Sequence, residues 1–87
     1  MKVAVWDTYV TKADGVVMNF DILVPETETD PEIIYGYGQD YLKSKAMQNY
    51  PITSKQCTFC HVETATDVML KDITQKGYYI VELKNCM

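Results

Sequence analysis

Between Val16 and Val24 the apolar side chains alternate: Val16, Met18, Phe20, Ile22 and Val24 share one face, and Val17, Asn19, Asp21 and Leu23 share the other. A period of two over this length predicts a strand with one face turned to a core. Lys2 to Val10, rich in Val, Trp, Thr and Tyr, predicts a strand before it. Lys12-Ala13-Asp14-Gly15 between the two carries the Asp-Gly signal of a tight hairpin. Loop length then sets the register. A two-residue turn would pair Asp7 with Ile22 and push a carboxylate into the apolar face, which costs several kcal/mol when unpaired. A three-residue loop with Gly15 left-handed in a bulge pairs Trp6 with Ile22 and Val10 with Met18, and is the register predicted here. It sets Asp7 opposite Asp21 on the other face, an unfavourable like-charge pair.

Pro25 ends the hairpin, and Asp30 before Pro31 predicts a helix start: a carboxylate that caps free amides, then proline at the first helical position. The helix is expected to run to about Met47, with Ile34, Tyr37, Gly38, Tyr41 and Leu42 on its buried stripe. Gly36 and Gly38 are expected to let it lie close on the sheet, and Tyr35, Tyr37 and Tyr41 to form the edge of the core. Asn49 to Ser54 reads as a loop. Thr53-Ser54-Lys55-Gln56 matches a capping box and predicts a short helical turn that delivers Cys57. Phe59 to Glu63 predicts a short strand. Thr66 caps a second helix, Asp67 to Lys76, which Gly77 ends in the left-handed conformation, and Tyr78 to Leu83 predicts the last strand. The expectation is one α+β domain over residues 1–87, a single sheet backed by two helices.

Composition narrows the function classes. The net charge is −4, from eight basic residues, all lysine and scattered, against twelve acidic ones. Without a basic face, nucleic acid is not the expected partner. Glu26, Glu28, Asp30 and Glu32 make a local acidic run, read as a solvated loop feeding the helix. The longest apolar stretches fall far short of the roughly twenty residues of a membrane helix, and Asp7 interrupts any signal-peptide core. No membrane association is expected, and the cytoplasm is the expected location.

Cys57-Thr58-Phe59-Cys60-His61 is the one stretch with a chemical signature. C-x-x-C-H is the attachment pattern of c-type haem, but that chemistry takes place outside the cytoplasm. A redox thiol pair needs a depressed pKa, and the next helix cap, Thr66, lies beyond the segment, although His61 could serve. Zinc is the third reading: Cys57, Cys60, His61 and Cys86 supply a tetrahedral donor set. Against it, Cys60 and His61 are neighbours, and neighbours in a regular strand point to opposite faces. Plain burial of the cysteines, with Cys60 and Val62 inward and His61 and Glu63 outward, needs no chemistry and is the favoured reading, so no cofactor is expected. Asp7 and Asp21 form a separate candidate pair for acid–base work or a cation, weighed against two solvated side chains.

Met1-Lys2-Val3-Ala4-Val5-Trp6-Asp7-Thr8-Tyr9-Val10, Phe20-Asp21-Ile22-Leu23-Val24-Pro25, Tyr41-Leu42, Cys57-Thr58-Phe59-Cys60-His61-Val62-Glu63 and Gly77-Tyr78-Tyr79-Ile80-Val81-Glu82 resemble a small bacterial family, domain of unknown function twenty twenty-four. The resemblance covers essentially the whole chain. It implies a compact α+β fold in a bacterial cytoplasm, places Trp6-Asp7, Asp21 and Cys57 to Glu63 in the family pattern, and transfers no activity, cofactor or partner. With no complete catalytic constellation, the chain reads as a non-catalytic interaction or accessory module for a protein or small-molecule partner. A thiol or zinc site is the alternative. Exposed tyrosines leave room for a homodimer.

Overall fold

The computed structural model describes residues 1–86. The hairpin forms in the register that keeps Asp7 out of the core. β1 (Lys2–Thr11) and β2 (Val17–Pro25) are antiparallel, with Trp6 opposite Ile22, Val10 opposite Met18 and Asp7 opposite Asp21. The loop between them is the three-residue kind: Lys12 N donates to Val16 O at 2.9 Å, and Gly15 is left-handed at φ 86. Asp14 Oδ1 accepts from Val16 N at 3.0 Å and fixes the turn. Val16 lies outside β2 and is exposed, so the buried stripe starts at Met18.

α1 (Pro31–Ser44) starts as the sequence predicts, with the Asp30 side chain accepting from Glu32 N at 3.0 Å. It stops before Met47, because Lys45 turns its amide back to Leu42 and Ala46 is left-handed at φ 58. Ile34, Gly38, Tyr41 and Leu42 are its buried residues. Tyr35 and Tyr37 are half-buried against the core, and Tyr37 stacks on Tyr78 with ring centres 4.6 Å apart. Gly38 is the close-approach glycine: an added Cβ would stand 2.6 Å from Ile52 Cδ1 and 3.0 Å from Ile22 Cδ1. Gly36 faces open space instead, so it is not part of that approach.

Thr53 to Gln56 closes as a single turn that delivers Cys57, with Gln56 N and Cys57 N both donating to Thr53 O at 3.0 and 3.1 Å and Gln56 Oε1 accepting from Thr53 N and Oγ1 at 2.9 and 2.8 Å. β3 (Cys57–Thr64) is longer than the predicted strand. α2 (Asp67–Lys76) has the predicted bounds, with Thr66 Oγ1 accepting from Met69 N at 3.3 Å and Gly77 left-handed at φ 94. β4 (Tyr79–Lys84) completes an antiparallel sheet of order β3-β1-β2-β4.

The two helices lie on opposite faces of this sheet. Even-numbered positions Ala4, Val10, Met18, Phe20, Ile22 and Val24 pack with Ile34, Tyr41 and Leu42 of α1, together with Ile52, Cys57, Tyr78 and Cys86. Fully buried side chains of this size each contribute roughly 1.5–3 kcal/mol, which makes this layer the main source of stability. Odd-numbered Val3, Val5 and Leu23 pack under Ile73 of α2, with Met69, Tyr79 and Val81 around them. α2 covers only that end of its face. Farther along, Tyr9 and Val17 are exposed, and Asp7, Asn19 and Asp21 share this uncovered half by strand alternation. Among the described residues no helix is long and apolar enough to cross a membrane.

Candidate functional site

A bulge in β3 decides where the chemistry falls. β3 pairs regularly with β1 from Thr64 opposite Lys2 to His61 opposite Val5, then shifts so that Phe59 is opposite Trp6 and Cys60 has no partner. Two residues against one bring the neighbouring side chains of Cys60 and His61 to the same side, where a regular strand would part them. Cys60 Sγ lies 3.2 Å from His61 Nδ1, and His61 Nε2 lies 3.2 Å from Glu63 Oε2. The carboxylate only accepts, so in the neutral ring the Nε2–H tautomer fits this geometry and leaves Nδ1 to accept from the thiol.

The structure corrects two sequence expectations. Cys60 is exposed, and so is Val62, 44% of it, so neither side chain packs inward. The four proposed zinc ligands are also divided. Cys57 (1% exposed) and Cys86 (6%) belong to the α1-side core, whereas Cys60 and His61 stand on the open face beyond the sheet. Burial pushes the Cys57 thiol up, and Cys86 Sγ donates to Asn19 O at 3.2 Å. Among the described residues no three His, Cys, Asp or Glu side chains gather around a point that could hold a metal ion. All three cysteines are free thiols.

The carboxylate pair stands on the same uncovered half-face as Cys60 and His61. Asn19 Nδ2 donates to Asp7 Oδ1 and to Thr8 O, both at 2.9 Å, and so holds the Asp7 carboxylate beside Asp21. Burial, then the hydrogen bond and charge of Asp7, push Asp21 up to about 6; His61 pulls it down and Glu63 adds to the rise. Tyr9, exposed above Asp7, is pushed up chiefly by that carboxylate. Sequence reasoning named Asp7, Asp21, Cys60 and His61 as two separate candidates, and the fold gathers them into one neighbourhood. Glu63 was missed as a partner. Its place two residues after His61 puts both on one strand face, and that spacing was the available signal.

The other side of β3 is apolar. Trp6 and Phe59 meet edge-on at 5.9 Å, and with Ala4 and Val62 they line a groove of about 310 Å³ whose rim carries Glu26, Glu28 and Thr29. Trp6 Nε1 is buried there and has no hydrogen-bond partner among the described residues. Phe59 is 53% exposed, unusual for a phenylalanine on an outer strand. A larger depression, about 630 Å³, lies at the opposite sheet edge by β4 and holds Cys86 alone of the sequence candidates.

No curated protein matches the chain. The NMR structure of protein NE1680 from Nitrosomonas europaea, a structural-genomics target, is similar over 100% of both chains, with 36% sequence identity and a TM-score of 0.83. Residues 1–83 match the family described as Domain of unknown function (DUF2024), which carries the resemblance seen in the hairpin and in Cys57 to Glu63. With so much of the chain matched, from the first strand to the last, the protein belongs to that family.

Proposed function

We propose that the protein is a non-catalytic interaction module that takes an extended, basic segment of a partner protein as an added strand against β3. The observation that carries this reading is the meeting of a free strand edge with an apolar groove and an acidic rim. β3 is an outer strand, so its outward backbone amides and carbonyls have no ladder partner among the described residues. It carries no lysine and no proline, two of the devices that blunt such edges. In strand addition the ladder supplies affinity and alternate side chains enter pockets beside it. The groove of Trp6, Phe59 and Val62 is placed to take them. The Trp6 indole lines this groove, and its N–H, buried and without a partner among the described residues, reports on whether the groove is filled. Glu26 and Glu28 on the rim select lysine or arginine.

A second copy of the chain fits this rim less well, because it would bring the same acids against themselves. Nucleic acid and anionic membrane are disfavoured by the same charge. We take the module as bacterial and cytoplasmic. The organism of the similar NMR structure supports the first, and three free thiols, two of them built into the core, support a reducing compartment.

The test selects binders from a displayed library of random linear peptides on the folded protein, then maps them by amide NMR. Support would be binders with alternating apolar residues and at least one Lys or Arg, shifting β3 amides and the Trp6 indole. These binders should fail on the double variant Phe59→Lys, Val62→Lys, whose folding is checked by circular dichroism. Absence of any binder, acidic binders, or shifts confined to β4 would overturn the reading. A concentration-dependent dimer paired through β3 would replace the partner with a second copy and also overturn it.

A further inference from the structure

We propose that Cys60 is a thiol-exchange site, tuned toward cationic low-molecular-weight disulfides and independent of the strand-addition reading. Three side chains of β3 stand in line for the chemistry: the exposed Cys60 thiol, His61 Nδ1 at 3.2 Å as base, and Glu63 at 3.2 Å from Nε2 holding the ring. This is the order nucleophile, base, orienting carboxylate that activates a thiol. The Cys60 bulge makes it on an edge strand, where both Cys60 and His61 are exposed.

The step balances without a metal or an external base. The Cys60 proton passes to His61 Nδ1, and the thiolate attacks one sulfur of the disulfide RSSR. The old S–S bond breaks as the Cys60–S–S–R bond forms, and the leaving RS⁻ takes the proton back from the imidazolium. Cys60 is oxidised to a mixed disulfide, and half of the small disulfide is reduced to RSH. No neighbouring cysteine competes to resolve the adduct, since Cys57 and Cys86 are buried on the other side of the sheet. The product is therefore a persistent modification rather than an internal disulfide.

Charge sets the class of disulfide. Asp7 and Asp21, opposite each other on this half-face, and Glu63, two residues from His61, outnumber Lys84, which lies opposite Asn19, and Tyr9 stands beside the acids. An incoming ammonium is attracted and a carboxylate repelled, and both effects weaken as salt screens them.

The experiment follows adduct formation on the reduced protein by mass spectrometry, with cystamine, hydroxyethyl disulfide and oxidised glutathione as probes. One adduct is expected, on Cys60, fastest with cystamine and slowest with oxidised glutathione, and absent in Cys60→Ser. His61→Gln should slow all three probes on the order of tenfold, since the base is lost. The double variant Asp7→Asn, Asp21→Asn should instead draw the three rates together, as should high salt. Modification of Cys57 or Cys86 in the folded protein would overturn the proposal. So would a Cys60 rate equal to that of N-acetylcysteine and unaffected by His61→Gln, or equal rates for cystamine and oxidised glutathione at low salt.

Discussion

Gly36 and Gly38 sit two residues apart in the same helix, and the structure gives them opposite responses to one methyl group. In a helix interior alanine is favoured over glycine by about 1 kcal/mol, because glycine loses more backbone freedom on folding. At Gly36 a Cβ meets nothing within 4 Å, so Gly36→Ala should realise that gain in full. At Gly38 the same Cβ arrives 2.6 Å from Ile52 Cδ1 and 3.0 Å from Ile22 Cδ1. Ile52 comes from a loop and can withdraw, but Ile22 has 0% exposure and neighbours on every side. Overpacking of this kind costs about 1–3 kcal/mol. Gly38→Ala should therefore lose up to about 2 kcal/mol against the parent and stand about 1–3 kcal/mol below Gly36→Ala. For a domain of this size each kcal/mol moves the midpoint by about 4–8 °C, so a thermal melt followed by circular dichroism separates the two variants. Equal midpoints would show that α1 does not lie on Ile22 through Gly38, and the close approach would have to be abandoned.

Asp21 holds its proton to a higher pH folded than unfolded, so the folded state binds more protons from pH 3.8 to about 6, and stability falls as pH rises through that window. Because Asp21 is partly exposed and screened, Asp21→Asn should gain only about 1 kcal/mol at about pH 8 and almost nothing at about pH 4; urea midpoints that shift equally at both would refute the assignment. Gly77→Ala forces a side chain into a backbone at φ 94 and sets its Cβ 2.5 Å from the Tyr37 hydroxyl, so a loss of at least about 1–2 kcal/mol is expected, and an unchanged melt would contradict the cap. Deleting Cys60 removes the unpaired residue and leaves Phe59 opposite Trp6 and His61 opposite Val5, so the variant should keep the native sheet by amide NMR. A regular strand would instead be thrown out of register by that deletion, with every side chain on one flank reversed.

How much of this was legible in the sequence depended on whether the signal was local. The hairpin register followed from one argument, the expense of burying Asp7, together with the turn chemistry of Gly15, and the pairing of Trp6 with Ile22 agrees with it. Caps at Asp30, Thr66 and Gly77 were equally readable, because each is made by a side chain or conformation belonging to the segment itself. Three features were not readable. Whether α1 and α2 share a face depends on which way the chain crosses after β3, and no short-range pattern encodes that. The end of α1 is set by the left-handed Ala46, a residue with no preference for that conformation. The bulge at Cys60 was hidden for a deeper reason: an extra residue in one strand is defined only against its partner strand, and period-two reasoning assumes it away.

That hidden residue is what gives the candidate site its form. In an unbroken strand one of Cys60 and His61 would face the groove of Trp6 and the other the carboxylates, and neither side would be chemically pure. With the bulge, Phe59 and Val62 stay on the apolar side, opposite Trp6 and Ala4, while Cys60, His61 and Glu63 all fall on the polar one. β3 thus separates an apolar contact surface from an ionisable one across a single strand thickness. A bulge on an edge strand also strengthens twist and discourages indiscriminate pairing along the whole edge. It leaves two short regular runs, Cys57 to Phe59 and His61 to Thr64, on either side of the unpaired residue. An added strand must match that interruption to bridge both runs, whereas a flat aggregating edge has no such requirement. The same extra residue accounts for the exposed thiol, for its contact with the imidazole, and for the selectivity expected of the edge beside it.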